Sequence, residues 1–544
     1  MIKVLWLMAG AALTTAPMTG TNVSARERDP IEDAVRAHTI FLAHDLLEGR
    51  DTGSKGYDIA AQYVASAFLQ YGLEPAGTEG YLQPVPLRRR TLVDNKISLR
   101  IGTEEIALVN GDTVAIDASP HQASEMLDLP LVFVGWGISA PELGLDDYRA
   151  IDVRGKAVVL IEGAPPSLPG ALRAHYSWVQ QKERMAAAAG AAAIVTIKSP
   201  ARERFSPWSM TAQFRPLPAV HWHAERANQP PPVRATVSLS PAMATRLFEA
   251  NGIDLARLYA DAEKKPPKAR AFDAGIRVAR TSRHEDIRSP NVVGLIPGSD
   301  PALKDEYVLV LAHLDHVGIG KPVDGDAIYN GAIDNAGGVA VLMEAARALK
   351  SRGTKRPVLF VATTGEEKGL IGADYFAAFP TVPLEKIVAA VSVDGLMAWH
   401  DFEDIVSLGS DHSNLGEASA AAAAAIGAKH VPDPIPDRGN LALSDQYPFL
   451  RAGIPVLFPN PGPRDPATGA AEHPAWTAYE EKSYHKPSDE TSLPIRWDVA
   501  GRWARYIEGT IERIANGPRP AWYEGDALAH GFAPRAARVP RPGQ

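Results

Sequence analysis

The order of apolar and polar positions divides the chain into segments of different periodicity. Over residues 30–76, apolar side chains recur at helical spacing, and the polar stretch 50–53 separates two helices. The second helix is predicted to end at Gly72, because glycine readily adopts the backbone conformation that closes a helix. Residues 88–128 alternate apolar and polar positions between glycine turns, which predicts short strands.

A second pattern begins near residue 129. The apolar runs 129–138 and 155–163 indicate buried strands, and residues 180–197 indicate a helix followed by a strand. We expect a small mixed unit with a core of its own, which closes near residue 253. The charged, proline-containing stretch 263–268 is predicted to be an exposed connection.

From residue 289 onward, strand-like and helix-like segments alternate. Apolar strands with polar exit loops are predicted at 307–318, 357–367 and 387–396, a last strand at 453–460, and helices at 337–350 and 418–428. This alternation predicts an α/β fold with a largely parallel sheet covered by helices. Such open sheets place their ligand sites at the carboxyl ends of the strands. Residues 517–544 are predicted to be a tail.

Composition narrows the possible chemistry. None of the 544 residues is cysteine, which excludes disulfides, thiolate nucleophiles and cysteine-bound zinc. Any metal ion must therefore be held by His, Asp and Glu. The formal net charge of −8 gives no sign of the basic face that nucleic-acid binding requires, so no nucleic-acid partner is expected.

The N-terminus has the features of an export signal. Lys3 precedes an apolar stretch from Val4 to Leu13, and Val23-Ser24-Ala25 offers small residues for cleavage. We therefore expect residues 1–25 to be a signal peptide and the mature protein to be secreted or periplasmic. An uncleaved anchor is the less favoured alternative, because a membrane span needs roughly 20 residues. No later segment is predicted to be an integral membrane segment.

Histidines and acidic residues follow the predicted strands in a regular order. They are His313 with Asp315, Asp334, the pair Glu366 and Glu367, Asp394 and, in a later loop, His485 with Asp489. Charged groups gathered at one sheet edge repel each other unless cations neutralise them. Histidine and carboxylate ligands without cysteine suit zinc, and one bridging carboxylate allows a two-metal hydrolytic site.

Two spacings suggest a division of roles. Adjacent glutamates on a loop point in different directions, so one of Glu366 and Glu367 can bind metal while the other acts as a base. The carboxylate of Asp315 lies two residues beyond His313, where it can accept the second N–H of the imidazole and fix the ring.

Residues 289–500 resemble the M28 family of zinc peptidases. The matching motifs are AHLDHVG, NGAIDNAGGVA, GEEKGLIGADYF, VDG, SDQYPFLRAGIP and SYHKPSDE. The resemblance implies a mixed, mostly parallel eight-stranded sheet sandwiched by helices, formed by residues 26–124 and 286–516. Residues 125–285 resemble the smaller α/β protease-associated (PA) domain that is often inserted in this family.

Carried over onto this sequence, the resemblance implies two zinc ions. His313, Asp334 and Asp394 would hold one ion. Asp334, Glu367 and His485 would hold the other, so that Asp334 bridges the pair.

Further roles are implied for neighbouring residues. Glu366 would be the general base that takes a proton from a water molecule between the metal ions. Asp315 would orient the first histidine ligand, and Asp489 would support the loop of the last one. Tyr447 is a candidate contributor near the site, with a packed or surface role as the equal alternative.

Some positions depart from the family pattern. Ile333 stands where an aspartate is usual, and Gly338 and Ala373 replace frequent serines. None of the three is an implied ligand, so the departures bear on the polarity around the site and on the level of activity.

The function implied by the resemblance is that of a di-zinc aminopeptidase, which hydrolyses N-terminal bonds of peptide substrates. A carboxypeptidase or dipeptidase is the main alternative, since the same ligands would serve it. An acidic patch near the metal ions would favour capture of a free amine, whereas an Arg/Lys cluster would favour a free carboxylate. A glutaminyl-cyclase-like transferase and a non-catalytic binding protein are further alternatives, which the complete ligand set disfavours.

Overall fold

The structure is a computed structural model that describes residues 29–223, 232–436, 439–470 and 472–541. The expected signal peptide, residues 1–25, lies outside the described residues and stays a prediction. Among the described helices, none is long and apolar enough to cross a membrane.

Helices are distributed along the whole described chain. They are α1 Pro30–Leu42, α2 Lys55–Tyr71, α3 Gly170–Ser177, α4 Val179–Ala188, α5 Pro200–Phe205, α6 Trp208–Phe214, α7 Pro241–Ala250, α8 Leu255–Ala262, α9 Gly337–Arg352, α10 Ile371–Ala378, α11 Leu415–Ala425, α12 Tyr447–Arg451, α13 Pro474–Lys482, α14 Trp497–Asn516 and α15 Ala527–Phe532.

Strands vary widely in length. They are β1 Glu74–Pro75, β2 Leu82–Ile101, β3 Glu104–Leu108, β4 Val114–Ile116, β5 Ser124–Phe133, β6 Ser139–Ala140, β7 Leu145–Asp146, β8 Ala157–Ile161, β9 Ala193–Ile197, β10 Ala219–Trp222, β11 Ala235–Leu239, β12 Arg270–Ile296, β13 Tyr307–His313, β14 Gly318–Val323, β15 Asp326–Tyr329, β16 Val358–Thr363, β17 Ile387–Ser392, β18 Asp404–Leu408, β19 Lys429–Val431, β20 Val456–Pro461, β21 Trp522–Tyr523 and β22 Arg538–Val539.

The central sheet has the order β19-β18-β20-β17-β13-β16-β12. Strand β13 pairs in parallel with β16 on one side and β17 on the other, and β17 pairs in parallel with β20. Strands β12 and β16 are antiparallel, as are β18 and β20. The predicted α/β class with a mixed, mostly parallel sheet is confirmed.

Successive side chains of β13, the middle strand, point to opposite faces of the sheet, and helices cover both faces. In β13, Val308 and Val310 pack into one apolar cluster, whereas Leu309 and Leu311 pack into another. The first cluster includes buried side chains of α1, α2, α9 and α14, and the second includes those of α10 and α12. A strand buried on both faces must be apolar at successive positions, which is why β13 reads as an unbroken hydrophobic run.

The N-terminal helices begin and end as the sequence predicts. The Ser54 side chain accepts a hydrogen bond from the backbone N–H of Tyr57 and caps the start of α2. Gly72 has φ +80° and closes the end of the same helix. A helical turn, Asp45–Arg50, precedes the rest of the polar stretch between the two helices, and Arg50 at its end reaches the carboxyl edge of the sheet.

Over 88–128, β3 and β4 are short strands as predicted, but β2 is long and forms an extended antiparallel ribbon with β12. Their pairing runs from Leu82 opposite Val292 to Ile101 opposite Ala274, with one irregularity between Thr281 and Ser282. Beyond the central sheet, β12 pairs with β5, which leads into the parallel strands β8, β9 and β11. The predicted limits of the inserted unit, 125 and 285, therefore fall inside β5 and β12. A PA-type domain stays a prediction.

The apolar side chains of residues 125–285 are continuous with those of the central sheet. Leu160 and Val195, from β8 and β9, belong to the same cluster as Leu309 and Val361 of β13 and β16. This differs from the sequence prediction that the unit has a core of its own. The clusters join because the β2–β12 ribbon is part of both halves of the sheet.

The C-terminal segment, expected to be a tail, packs on the fold through residue 541. Trp522 and Leu528 are buried, and the Trp522 indole N–H donates to the carbonyl oxygen of Gly453 at 2.9 Å. Buried aromatic and aliphatic side chains at this spacing anchor the segment despite its content of proline and arginine.

Replacing Leu309 by alanine tests the two-faced burial of β13. Leu309 is fully buried, so Leu309→Ala should lower the free energy of unfolding by about 2–5 kcal/mol. The matched control is Leu69→Ala on α2, because Leu69 is 67% exposed and should tolerate truncation with little change. Urea unfolding followed by circular dichroism measures both variants. Equal losses would contradict the placement of β13.

Candidate metal centre

Three of the predicted site motifs end neighbouring parallel strands. His313 is the last residue of β13, Glu366 and Glu367 follow β16, and Asp394 follows β17. Because β16, β13 and β17 are adjacent and parallel, their carboxyl ends bring these side chains to one edge of the sheet.

Asp334 reaches the same edge from the turn that precedes α9. The turn starts at Gly331, whose φ of +60° favours glycine, and the peptide bond between Asp334 and Asn335 is cis. The carboxylate of Asp489 accepts hydrogen bonds from the backbone N–H groups of Ile333 at 2.9 Å and Asp334 at 3.1 Å. Asp489 thus fixes the Asp334 turn directly. It lies four residues after His485 and links that loop to the turn.

The side chains form two donor sets that share Asp334. Its Oδ1 lies 3.1 Å from His313 Nε2, and its Oδ2 lies 3.1 Å from His485 Nε2. Asp394 Oδ1 completes the first set at 3.1 Å from His313 Nε2. Glu367 Oε2 completes the second at 3.2 Å from His485 Nε2.

These spacings fit zinc. Ligand atoms about 2.0–2.1 Å from a tetrahedral ion lie roughly 3.3 Å apart, close to the separations within each set. The donors of His313, Asp334 and Asp394 are nitrogen and carboxylate oxygen, the ligand types zinc takes in the absence of cysteine. The two oxygens of Asp334 face different histidines, as a bridging carboxylate requires.

The orientation of His313 differs in one detail from the sequence expectation. Its Nδ1 lies 3.1 Å from the backbone carbonyl oxygen of Asp315, so Nδ1–H donates and Nε2 keeps its lone pair for a metal ion. The Asp315 carboxylate does not make this contact. It accepts instead from the Thr52 hydroxyl at 3.0 Å and from the backbone N–H of Glu366 at 3.1 Å, and so holds the glutamate loop.

Two residues that the sequence analysis did not single out hold Asp394. The Ser444 hydroxyl donates to Asp394 Oδ2 at 2.6 Å. The Asn335 amide donates to the carbonyl oxygen of Val393 and accepts from the N–H of Gly395, both at 3.0 Å. Ser444 and Asn335 both lie in motifs that carry the family resemblance, and this position was the only sign in the sequence of a role at the site.

The site concentrates buried or partly buried carboxylates. They are Asp315, Asp334, Glu366, Glu367, Asp394, Asp445 and Asp489. Burial disfavours the charged form of His313, but the carboxylates of Asp394 and Glu366 outweigh it and raise the pKa of His313 well above its usual range. Burial likewise opposes the charge on His485, and hydrogen bonds to Asp334 and Glu367 raise the pKa of His485 to about 10.

Glu366 and Glu367 differ in their proton affinity. Burial raises the pKa of Glu366 well above its usual range, and Asp394 adds to this effect. Burial also acts on Glu367, but its histidine partners lower the pKa of Glu367 to about 2. A carboxylate that stays charged suits metal binding, and one with a high proton affinity suits proton transfer.

Arg50 lies beneath this cluster and was treated by the sequence analysis only as part of a polar break. Its buried guanidinium donates to the carbonyl oxygens of Leu314 at 2.9 Å, Asn330 at 2.6 Å and Gly331 at 3.0 Å, and also to that of Leu42. Burial lowers the pKa of Arg50 to about 10, although nearby carboxylates oppose this change. Arg50 thus joins the loops of His313 and Asp334 and contributes a fixed positive charge.

Two further side chains next to the ligands were missed. Tyr484 precedes His485, and their rings stack at 3.9 Å. His316, in the same motif as His313, is fully buried and places Nδ1 2.7 Å from Glu367 Oε1. Their sequence positions beside predicted ligands were the only signal for either residue.

Tyr447 makes its main contacts with residues of the 125–285 segment. Its hydroxyl forms a 2.7 Å hydrogen bond with His175 Nδ1, and Trp178 stacks on its ring at 5.3 Å. These contacts support the packing alternative for this tyrosine. Tyr447 also lines a cleft of about 590 Å³, together with Trp178 and Glu367, so the cleft reaches one of the predicted metal ligands.

The fold and the shared aspartate together define the candidate site of a metal-dependent hydrolase. Residues 291–511 match the model of Peptidase family M28. The matched segment contains all six motifs on which the resemblance rests, from AHLDHVG to SYHKPSDE.

Curated relatives match over shorter segments. A probable zinc metalloprotease of Pyrenophora teres f. teres is 34% identical over 108 residues, which cover 20% of this chain and 23% of that protein. Mouse aminopeptidase NAALADL1 is 34% identical over 134 residues, covering 23% of this chain and 16% of that protein. The chain thus spans less than a quarter of the length of either relative.

A solved structure aligns over most of the chain. The aminopeptidase from Aneurinibacillus sp. strain AM-1 aligns with a TM-score of 0.49 and 18% identity, covering 90% of this chain and 95% of that one.

Removing Arg50 should destabilise the fold. Arg50→Met leaves buried carbonyl oxygens without donors and removes a cation beside several carboxylates, so the free energy of unfolding should fall by about 3–5 kcal/mol. The control is Arg154→Met, because the Arg154 side chain is 80% exposed. Chemical unfolding measures both variants. An unchanged Arg50→Met protein would contradict the anchoring role.

Proposed function

We propose that the protein is a zinc-dependent exopeptidase of the aminopeptidase type with two metal ions. The observation that carries this proposal is the geometry of Asp334, whose two oxygens each lie 3.1 Å from a different histidine. The M28 match over residues 291–511 supports the peptidase class.

Each metal ion would be held by three side chains. His313, Asp334 and Asp394 would hold one, and Asp334, Glu367 and His485 the other. When bound, the ions supply positive charge that polarises a scissile carbonyl and lowers the pKa of water. The raised pKa values of His313 and His485 mean that metal binding displaces protons from these rings.

Glu366 is the proposed general base. Its backbone N–H is fixed by Asp315, and it lies beside His313 and Asp394 without a place in either ligand set. Glu366 accepts a proton from the water molecule that attacks the carbonyl carbon of the peptide bond. It then passes the proton to the leaving amine nitrogen as the carbon–nitrogen bond breaks.

The cleft between the central sheet and residues 125–285 is the proposed path for the peptide. Trp178 and Gln180 line it from the 125–285 side, and Glu367, Tyr447 and Arg451 from the sheet side. Because both halves contribute to the walls, residues 125–285 would limit the length and shape of the peptide that reaches Glu367.

A carboxypeptidase or dipeptidase is the second candidate, favoured by the cations in this cleft. Arg184, Lys368 and Arg451 all line it, and such groups could receive a free carboxylate. Lys368 pairs with Asp51 and Arg451 with Asp374, so much of this charge is already compensated. The many carboxylates at the metal centre and the relative named as an aminopeptidase favour the first candidate.

A substrate panel with metal analysis separates these possibilities. The purified protein should hold close to two zinc ions per chain and hydrolyse peptides with a free N-terminus, and chelation should abolish the activity. N-blocked peptides with a free C-terminus should not be cleaved. Cleavage of only the N-blocked set would establish the carboxypeptidase, and full activity with one ion would contradict the two-metal site.

The two adjacent glutamates offer a matched pair of variants. Glu366→Gln should lower kcat by about 10²–10⁴-fold with metal content nearly intact, because it removes a base and no ligand. Glu367→Gln should instead lower the metal content, because Glu367 belongs to the second set. Steady-state kinetics and elemental analysis of both proteins measure the effects. The reverse pattern would exchange the two roles.

A further inference from the structure

His316 has the properties of a metal ligand that the resemblance does not assign. It is fully buried in the loop after β13, and its Nδ1 lies 2.7 Å from Glu367 Oε1 and 3.9 Å from Asp334 Oδ2. Within the described residues, neither nitrogen of the ring makes a hydrogen bond, and neither does Glu367 Oε1. The close approach of Nδ1 to a carboxylate oxygen of the candidate metal centre, more than the burial of the ring, points to a role for His316 there.

The surrounding chain is shaped to hold the ring at this place. A side chain at Gly331 would put its Cβ 2.5 Å from His316 Cγ, so only glycine leaves room there. The ring meets that of His485 edge to face, with the centroids 5.6 Å apart. His316 and His485 therefore approach Asp334 and Glu367 from different directions.

A shared cation explains the approach of two carboxylates to His316. An ion pair with Glu367 accounts for the 2.7 Å contact of Nδ1, but it does not account for Asp334 Oδ2, which lies 3.9 Å from the same nitrogen. A metal ion between Nδ1 and Glu367 would satisfy both Nδ1 and the carboxylate oxygen. Donor atoms of His316, Asp334 and Glu367 all lie within 4.8 Å of one another, which is compatible with one ion.

We propose that His316 Nδ1 is a fourth protein ligand of the second metal ion, an inference that rests on the proposed two-metal site. The second ion would then be held by two imidazole nitrogens, from His316 and His485, and two carboxylates, from Asp334 and Glu367. The first set has only three side chains. Four protein ligands are typical of closed zinc sites, whereas three leave a position for substrate or water.

The two ions are therefore unequal in affinity. With one protein ligand more than the first, the second ion would be retained more tightly. Stepwise chelation should remove the ion held by His313 and Asp394 before the ion held by His316.

Metal affinity of a His316→Ala protein tests the proposal without reliance on activity. Zinc titration of the metal-free protein against a chromophoric chelator should show one site weakened by at least about 10–100-fold, with the other unchanged. The matched control is His400→Ala, because His400 is also buried with no hydrogen bond at either ring nitrogen and stacks on His473, away from the ligands. Its two affinities should equal those of the wild type.

Wild-type affinities at both sites of His316→Ala would overturn the ligand assignment. Should that variant not fold, X-ray absorption at the zinc edge of the wild-type protein decides the question. Three imidazole nitrogen ligands for each pair of zinc ions would support the assignment of His316 as a ligand, whereas two would overturn it. A wild-type protein that binds no zinc or a single ion would instead contradict the proposed function itself, so the two failures are distinguishable.

Discussion

The structure depends on how negative charge is held at the carboxyl ends of β13, β16 and β17. Parallel strands bring acidic loops to one edge, and burial there makes each uncompensated carboxylate expensive. The protein supplies one permanent cation of its own, Arg50, and histidines whose protonation is favoured by their acidic neighbours. Divalent ions bound at the proposed site would replace those protons, and metal binding would then be linked to the stability of this edge.

Positioning of the ligands is achieved mainly through backbone contacts. Asp489 holds the N–H groups of the Asp334 turn, Asp315 those of the glutamate loop, and Asn335 those around Asp394. In each case a buried polar side chain binds the main chain next to a ligand and leaves the ligand's own side chain free. Gly338 leaves the space that the Asn335 side chain needs, since a Cβ at position 338 would lie 1.9 Å from Asn335 Oδ1. Glycine therefore fits this packing at the position where the resemblance leads one to expect a serine.

Sequence reasoning placed His313, Glu367 and Asp394 at one edge of the sheet, because each of these three predicted ligands follows a recognisable strand. It missed contacts that depend on three-dimensional approach. Arg50 lies more than 260 residues from the carbonyl oxygen of Leu314 that it binds, and nothing in its own segment signals that partner. The long ribbon of β2 and β12 was also missed. The alternation of apolar and polar positions indicates which side chains are buried, but it does not determine which strands pair.

The ribbon of β2 and β12 also connects the cleft with the loop of the proposed base. At its inner end, the Asn291 amide oxygen accepts from the N–H of Thr364, and the Ser289 and Thr364 hydroxyls are 2.6 Å apart, two residues before Glu366. Farther along the ribbon, β10 pairs with β2 and lines the cleft through residues 219–222. One pair of strands thereby supports both a wall of the cleft and the loop that carries Glu366, so the positions of the two are set by the same backbone hydrogen bonds.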